Sequence, residues 1–217
     1  MRILCLSDIH GEGAGLGEVL AASPEAEVIA IVGDITHLGG AAEAEKVLAP
    51  VVASGRRVLA VPGNMDGEGA RRYIEEKGFS IHGRGTTIGE VGFLGLGGSN
   101  PTPFGTPFEI GPDEARRLLA AGLGQIAGPG FMVLLSHAPP RGTRLDKGFA
   151  GMHVGSAEVK DFLLSGAVGL CLCGHVHEAP GEESVGAALC VNVGPFKNGH
   201  CALVEIAGSR VRVLWRK

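Results

Sequence analysis

The sequence has few charged residues and no strong excess of either sign. Charged residues make up 19% of the 217 residues and hydrophobic residues 45%, a balance typical of a globular protein with a buried sheet rather than of a disordered chain. The formal net charge is -4, so no overall basic field would attract nucleic acid or anionic lipid. Nucleic acid is therefore not indicated as a partner.

Signals for targeting to a membrane are also missing. The apolar part of the opening MRILCLSDIHG is too short for a signal peptide and has no small-residue cleavage site. Residues 118–140 carry no formal charge, but Gln125, the Gly-Pro-Gly at 128–130 and the Ser-His at 136–137 interrupt them, which makes a poor membrane span. We expect no association with a membrane.

The cysteines form no CxxC pair. Each lies in an apolar, strand-like segment, so we interpret all of them as buried thiols of a protein in the reducing cytoplasm. They are Cys5, Cys171, Cys173, Cys190 and Cys201.

The length and the glycine content indicate one domain with many tight turns. A chain of 217 residues can build one substantial core, and two full domains would be crowded. The 37 glycines favour close approaches of the backbone. We therefore expect a single domain over residues 1–217.

The first third of the chain alternates strands and helices. Three apolar runs at residues 2–6, 28–32 and 57–61 predict strands, and the segments at 16–22, 41–53 and 70–77 predict the helices that follow them. Successive units of this kind imply parallel strands with right-handed crossovers.

The rest of the chain mixes further units with hairpins. The pattern predicts short β-rich pieces at 79–98, a loop at 101–112, helices at 113–125 and 157–164, strands at 131–135 and 168–172, and three strands at 189–215. The three C-terminal strands would be connected by hairpins and therefore antiparallel, which indicates a second sheet. The fold class is therefore α/β.

Polar residues follow the predicted strands where each strand ends. They are Asp8, His10, Asp34, Asn64, His137, His175 and His177. The carboxyl ends of parallel strands share one edge of a sheet, where ligands bind, so these side chains can converge. Aspartate, asparagine and histidine hold divalent transition metals, and the i, i+2 spacing of His175 and His177 places both on one side of an extended segment.

Each of these residues also has an ordinary explanation. Asp8 and Asp34 suit helix N-caps, Asn64 suits a turn, and His137 suits a hydrogen-bonded core histidine. If these explanations hold, residues able to bind a metal follow five separate strands only by coincidence. The joint pattern therefore favours a metal site.

Five ordered blocks resemble the calcineurin-like metallophosphoesterases. They are SDIHG at 7–11, GDITH at 33–37, GNMDG at 63–67, SHAPP at 136–140 and GHVH at 174–177. The stretches GGSNPTPFGTP, PPRGTRLD and HVGS are similar to the prokaryotic branch related to cyclic-nucleotide phosphodiesterases. The resemblance implies a four-layer α/β/β/α sandwich, two mixed sheets flanked by helices.

The same resemblance implies a dinuclear metal site. Asp8, His10 and His177 would hold one metal, Asn64, His137 and His175 the other, and Asp34 would bridge both. The mixed donors favour two transition-metal ions, with Mn first and Fe, Zn or Ni as alternatives. A hydroxide bridging the metals would attack a small phosphoester, and no nucleophilic side chain is required.

One position departs from the family pattern. Many members have a histidine after the asparagine of the third block, where this chain has Met65, and methionine cannot donate a proton. The proton for a leaving group would then come from water, His37 or His153, or the substrate would have a good leaving group. A surface or structural role is the favoured explanation of each histidine.

Residues for the substrate are less clearly indicated. Asp34 and Asn64 are expected to take part in catalysis, and Asn64 also to contact the substrate. His153, Arg141 and Asn100 lie in loops expected to border the site, where cations and amides suit phosphate, although solvated loops explain them as well.

These patterns predict a phosphodiesterase and leave three alternatives. A phosphomonoesterase acting on nucleotides or phosphoproteins would present the same reacting group. A catalytically weak metal-binding scaffold on the same fold is compatible with Met65. The glycine-rich run at 11–15 resembles a dinucleotide loop but has Leu16 where the last glycine belongs. An oligomer is compatible with the β-rich C-terminal part.

Overall fold

The computed structural model of the protein describes residues 1–128 and 130–216. Pro129, one of the residues expected to interrupt the uncharged stretch, lies outside the described residues. Within residues 1–128 and 130–216, no helix has the length and apolarity needed to cross a membrane.

The described residues form eleven strands and five α-helices. The strands are β1 (Arg2–Leu6), β2 (Val28–Val32), β3 (Arg57–Val61), β4 (Gly85–Ile88), β5 (Val91–Leu96), β6 (Phe131–Ser136), β7 (Leu170–Cys173), β8 (Gly181–Val185), β9 (Ala188–Asn192), β10 (Cys201–Ala207) and β11 (Arg210–Arg216). The helices are α1 (Leu16–Ala21), α2 (Ala41–Ala53), α3 (Glu68–Glu76), α4 (Pro112–Gly124) and α5 (Ala157–Leu164).

The strands pair into two mixed sheets. The first has the order β11-β10-β1-β2-β3 and the second the order β4-β5-β6-β7-β9-β8. Within them β1, β2 and β3 are parallel, as are β5, β6, β7 and β9. The parallel arrangement expected for the first three strands is confirmed.

Three hydrophobic cores define four layers. Alternate residues of the central strands face opposite sides, as in β1, where Leu4 packs towards α1, α2 and α3 and Cys5 packs towards the other sheet. A third core, which includes Leu119 of α4 and Leu163 of α5, covers the outer face of the second sheet. Because both faces are covered, the central strands are apolar along their length. The predicted α/β/β/α sandwich is confirmed, and all five cysteines are buried free thiols as expected.

The structure corrects several predicted bounds. Helix α3 begins at Glu68 rather than at residue 70, and α4 begins at Pro112, which we placed in the preceding loop. Proline fits the first turn of a helix because its missing N–H has no partner there. Strand β7 covers Leu170–Cys173 instead of residues 168–172. Strand β8 was not predicted.

Candidate metal centre

The polar strand-end residues lie together where the two sheets meet. Strands β1, β2 and β3 of the first sheet and β6 and β7 of the second are each followed by one or two of them. Parallel pairing brings the ends within each sheet to one edge, and packing of the sheets brings the two edges together. Asp8, Asp34 and His137 have candidate ligand atoms within 4.8 Å of one another, as have Asp8, His10 and His177.

The first group consists of Asp8, His10 and His177. The Nε2 atoms of His10 and His177 are 3.1 Å apart, and Nε2 of His177 is 3.3 Å from Oδ1 of Asp8. The Asp8 side chain is fully buried, whereas 29% of the His177 side chain is exposed. This group is therefore open to solvent at His177, whereas the His10 side chain is only 7% exposed.

The second group is built around His137. Its Nε2 atom is 3.0 Å from Oδ1 of Asn64 and 3.4 Å from Oδ2 of Asp34. The ring of His175 lies 5.0 Å from that of His137, centroid to centroid. Oδ2 of Asp34 is also 3.6 Å from Nε2 of His10. Asp34 therefore stands between the two groups.

Neighbouring atoms orient the candidate ligands. Nδ1–H of His137 donates to the carbonyl of Val32 at 2.9 Å, which leaves Nε2 facing the site. The Ser7 hydroxyl donates to Oδ2 of Asp8 at 2.7 Å. The amide of Met65 donates to Oδ1 of Asp34 at 2.8 Å, so the other oxygen points to the histidines.

Unusual backbone conformations accompany these contacts. Among non-glycine residues in the described ranges, six have positive φ, and four of them are candidate ligands: Asp8 (52°), His10 (50°), Asp34 (49°) and His175 (69°). Such conformations cost free energy and are concentrated at functional sites. Hydrogen bonds between loops hold them, since the Asp8 amide donates to Gly33 O at 3.1 Å and the His10 amide donates to Asp34 O at 2.8 Å.

Glycines allow the loops to approach this closely. A Cβ atom at Gly63 would collide with the backbone and carboxylate of Asp34. A Cβ atom at Gly174 would collide with the side chains of Ser7 and Asp8. The glycines of the GNMDG and GHVH blocks are therefore required by packing of the site.

The electrostatics of the site suit cations. Burial raises the pKa of Asp8, but the hydrogen bond from His177 and the nearby histidines outweigh it and hold the pKa at about 2. Asp34 likewise has a lowered pKa, because His137 outweighs its burial. Two ionised carboxylates in a buried site need compensating positive charge.

The pKa values of the candidate histidine ligands shift in opposite directions. Burial lowers the pKa of His10 and of His175 to about 4, so both are neutral at pH 7, as metal ligands must be. Burial also opposes the charged form of His137, but the carboxylate of Asp34 outweighs it and raises the pKa to about 9, so a cation bound at Nε2 would have to displace a proton. The donor set and its buried negative charge fit divalent cations.

Asp66 joins two of the loops. Its Oδ1 accepts hydrogen bonds from the Thr36 amide (2.8 Å) and hydroxyl (2.9 Å), and its Oδ2 accepts from the amides of Ile35 (3.2 Å) and Gly63 (2.8 Å). Burial and then the charge of Asp34 raise the pKa of this carboxyl to about 6. Asp66 thus fastens the loop that carries Asp34 to the loop that carries Asn64, and its contacts are structural.

His37 reaches the candidate centre. Its Nδ1 is 3.3 Å from Nδ1 of His10, and the ring is exposed. Met65 is half-buried beside Asn64. The structure thus brings one of the two predicted proton donors next to a candidate ligand.

His153 and Arg141 lie in the loop after His137 with other contacts. Nδ1–H of His153 donates to Oδ1 of the buried Asp146 at 2.7 Å, and the ring lines a cavity of about 450 Å³ together with Arg144 and Lys147. Arg141 is exposed, and its amide donates to Ser156 O. Among residues 1–128 and 130–216, neither side chain forms a hydrogen bond or ion pair with a strand-end ligand.

Asn100 is turned inwards. Its Oδ1 is buried without a hydrogen-bond partner among the described residues, and the side chain lines a small cavity with Ala138 and Ser156. A carbonyl oxygen in such a cavity suits a buried water. The cavity also includes Leu96 and Ala115, so Asn100 adjoins the core between the second sheet and its helices.

A turn next to the segment that carries Asp8 was not anticipated from the sequence. It is the 3₁₀ turn Phe196–Asn198, whose Phe196 amide donates to Ser7 O at 2.8 Å. The only signal in the sequence is the turn-forming GPFKNG that follows a further strand, β9.

Comparison with known proteins agrees with this geometry. Residues 1–179 match the model of the calcineurin-like phosphoesterase family, and the chain belongs to that family. It is 32% identical over 202 residues to an uncharacterised protein, MJ1162, of Methanocaldococcus jannaschii, covering 90% of this chain and 88% of that protein.

Solved structures share the fold at low identity. TT1561 of Thermus thermophilus matches with a TM-score of 0.78 and 19% identity over 98% of this chain and 97% of its own. A dimetal phosphatase from Danio rerio matches with a TM-score of 0.71 and 12% identity over 100% of this chain and 96% of its own. Membership of the family supports metal-dependent hydrolysis of phosphoesters.

Proposed function

We propose that this protein is a dinuclear-metal hydrolase that prefers phosphodiesters. The observation that carries the proposal is the position of Asp34, whose Oδ2 lies 3.6 Å from His10 and 3.4 Å from His137. One carboxylate oxygen thus faces a ligand of each group. A carboxylate shared in this way reduces the repulsion between two neighbouring cations.

Two sets of side chains would hold the ions. Asp8, His10 and His177 form the first set and Asn64, His137 and His175 the second, with Asp34 common to both. When bound, such ions lower the pKa of water towards about 7 and neutralise charge on phosphoryl oxygens. Nitrogen and oxygen donors of this mixture suit Mn, our first choice, as well as Fe, Zn or Ni.

The chain's own residues prepare this chemistry. Ser7 and the amide of His175, at 3.0 Å, both donate to Oδ2 of Asp8, which fixes the direction of its other oxygen. The carbonyl of Val32 fixes the tautomer of His137. These contacts hold the donor atoms in place before a substrate binds, which reduces the reorganisation that catalysis requires.

The preference for diesters rests on the resemblance of the loops to the branch related to cyclic-nucleotide phosphodiesterases, and Met65 bears on which leaving groups the site can expel. A thioether at the position after Asn64 cannot protonate a leaving group. His37, exposed and 3.3 Å from His10, is the proton donor that the geometry favours over His153. A single exposed imidazole suits substrates whose leaving group needs little assistance, such as aryl phosphodiesters.

The test compares a diester with a monoester. Metal-stripped protein is titrated with Mn²⁺ and assayed on bis-p-nitrophenyl phosphate and on p-nitrophenyl phosphate. We expect turnover that depends on Mn²⁺ and favours the diester. A preference for the monoester would support a phosphomonoesterase, and two bound metals without turnover of either would support a scaffold.

Asp34→Ala tests the shared ligand. We expect this variant to bind neither metal tightly and to lose hydrolysis, because each group loses a donor and the buried site loses a charge. Metal content measured by mass spectrometry separates loss of metal from loss of catalysis. Asp113→Ala, at a side chain that is 99% exposed, is the matched control. Full activity of the Asp34 variant would refute the two-metal proposal.

A further inference from the structure

Two stretches of the sequence, PPRGTRLD at 139–146 and HVGS at 153–156, fold around one buried carboxylate, that of Asp146. Its Oδ1 accepts hydrogen bonds from the Thr143 amide at 2.9 Å and from Nδ1–H of His153 at 2.7 Å. Its Oδ2 accepts from the amides of Gly142 at 3.1 Å and Gly155 at 3.0 Å. Burial raises the pKa of Asp146, but the hydrogen bond from His153 and then those from the amides outweigh it and lower the pKa. The carboxylate is therefore ionised at pH 7.

This carboxylate orients the ring of His153. An ionised carboxylate only accepts hydrogen bonds, so Nδ1 carries the proton and Nε2 is the free nitrogen of the neutral ring. The Asp146 side chain is fully buried, whereas 38% of the His153 side chain is exposed. Three amides already join the loop to Asp146, and the imidazole adds a polar nitrogen of fixed direction at the surface.

The Lys147 side chain lies beside that of His153. The two residues pair across an antiparallel bridge, and the Gly148 amide donates to the Met152 carbonyl at 2.9 Å. Directly opposite residues of an antiparallel pair project from the same face. Both side chains line one cavity of about 450 Å³, whose lining consists of Gly142, Thr143, Arg144, Lys147, His153 and Glu183.

The lining carries more positive than negative charge. Among residues 1–128 and 130–216, neither Arg144 nor Lys147 forms a side-chain ion pair with a carboxylate. The Arg144 guanidinium donates to the carbonyl of Glu182, which is a neutral acceptor. Glu183, the acidic residue of the lining, accepts a hydrogen bond from the Arg144 amide at 2.6 Å. An anion in the cavity would thus receive charge-assisted hydrogen bonds from two cationic side chains.

The cavity is tied to the candidate metal centre and is distinct from it. The side-chain amide of the fully buried Asn192 donates to the Leu145 carbonyl at 3.2 Å and to the Val176 carbonyl at 2.9 Å. Leu145 belongs to the 3₁₀ turn Arg144–Asp146, and Val176 lies in the GHVH block. None of the residues that line the cavity is a candidate metal ligand. A ligand there would therefore lie next to the segment that carries two of the ligands and leave the metal sites free.

We propose that this cavity binds a phosphate group other than the one hydrolysed at the metal centre, through Lys147, Arg144 and Nε2 of His153. Phosphate suits the lining because its oxygens accept from ammonium and guanidinium groups. A P–OH group can also donate to Nε2 of a neutral imidazole, which a sulfate ion cannot do at neutral pH. The phosphate is either free inorganic phosphate or a second phosphate group of the substrate.

The first test titrates the protein with inorganic phosphate and follows isotope-labelled histidine side chains by NMR, with and without Zn²⁺, which is diamagnetic. We expect a saturable shift of the His153 resonances, identified by their loss in His153→Gln, and weaker binding of sulfate. Lys147→Ala should raise the dissociation constant of phosphate about three- to tenfold, because the contact is partly exposed. Arg117→Ala is the matched control, since it removes one positive charge from an exposed ion pair with Glu114.

Three results would overturn the inference: no saturable shift at His153, equal phosphate affinity in Lys147→Ala and Arg117→Ala, or sulfate binding as tight as that of phosphate. Because the shift is read at His153 itself, binding of phosphate to the metals does not produce the expected result. The titration without Zn²⁺ decides the site even if the metal centre fails to form.

A second test distinguishes the two sources of the phosphate. It compares the p-nitrophenyl diester of thymidine 5′-phosphate with the same diester carrying a further phosphate on the 3′-hydroxyl. If the substrate supplies the phosphate, Lys147→Ala raises KM about three- to tenfold for the second diester alone. Equal KM values for both diesters, with weakened binding of free phosphate, would assign the cavity to inorganic phosphate. This test rests on the proposed function, so absence of turnover would refute that function and leave the result of the titration standing.

Discussion

Replacing Asp66 by asparagine should weaken the hydrogen bonds that position the loops of the site and leave the candidate ligands themselves unchanged. Each oxygen of the buried carboxylate accepts two hydrogen bonds, from Thr36 on one side and from Ile35 and Gly63 on the other. The amide of Asp66→Asn can accept on one side only, and its NH₂ group then faces two donors on the other. Two buried donors without acceptors cost about 2–6 kcal/mol together, a large part of the roughly 5–15 kcal/mol that stabilises a typical domain.

Urea unfolding of the metal-free protein, followed by circular dichroism, measures this loss. Asp113→Asn is the control, because its exposed ion pair with Arg116 contributes at most about 1 kcal/mol. We also expect Asp66→Asn to bind Mn²⁺ more weakly, since fewer hydrogen bonds then join the loops of Asp34 and Asn64. A loss of stability equal to that of the control, with unchanged metal affinity, would refute this role of Asp66.

Two further predictions concern the neighbouring loops. Met65→His should accelerate hydrolysis of phosphodiesters with poor leaving groups more than of those with good ones. A plot of log kcat/KM against leaving-group pKa across substituted aryl diesters should therefore become flatter. An equal effect on all substrates would show that Met65 does not limit protonation of the leaving group. The Glu109 carboxylate accepts hydrogen bonds from Thr102 and Thr106, and these, the Thr102 hydroxyl first, lower its pKa to about 2. This lowered pKa stabilises the fold above the ordinary pKa of glutamate, and the contribution is lost as pH falls towards 2. The melting temperature of Glu109→Gln should therefore be lower than that of the wild type at pH values above the ordinary pKa of glutamate, and the two should converge as pH falls towards 2. A difference in melting temperature that does not change with pH would contradict this role of Glu109.

Most of the fold could be predicted because its strands are buried on both faces. Continuous apolar runs such as those of β1 and β2 are conspicuous in the sequence, and each ends in a polar residue or glycine. Strand β8 gave no such signal. It is an edge strand whose sequence, GEESV, is mostly half-exposed, and pairing with β9 rather than burial stabilises it.

The candidate ligands could be predicted for a related reason. Their positions follow directly from strand ends, and the order of the strands brings those ends together. The position of the turn Phe196–Asn198 beside Ser7 depends instead on tertiary contacts, namely the antiparallel pairing of β10 with β1 and the hydrogen bond from the Phe196 amide to the Ser7 carbonyl. The orientation of Asn100 depends on side-chain packing, which no pattern in the sequence encodes.

Main-chain hydrogen bonds hold the loops of this centre in place. The loops after β1 and β2 are joined by main-chain hydrogen bonds, and the positive φ angles of Asp8, His10 and Asp34 persist because these bonds hold them. Removing the carboxylate of Asp34 deletes a charge and a donor and leaves those main-chain bonds in place. Asp66→Asn leaves the ligands intact and loosens the loops that carry them. The two substitutions therefore perturb different causes of metal binding, and comparing their effects on stability and on metal affinity measures how far the fold prepares the site in advance.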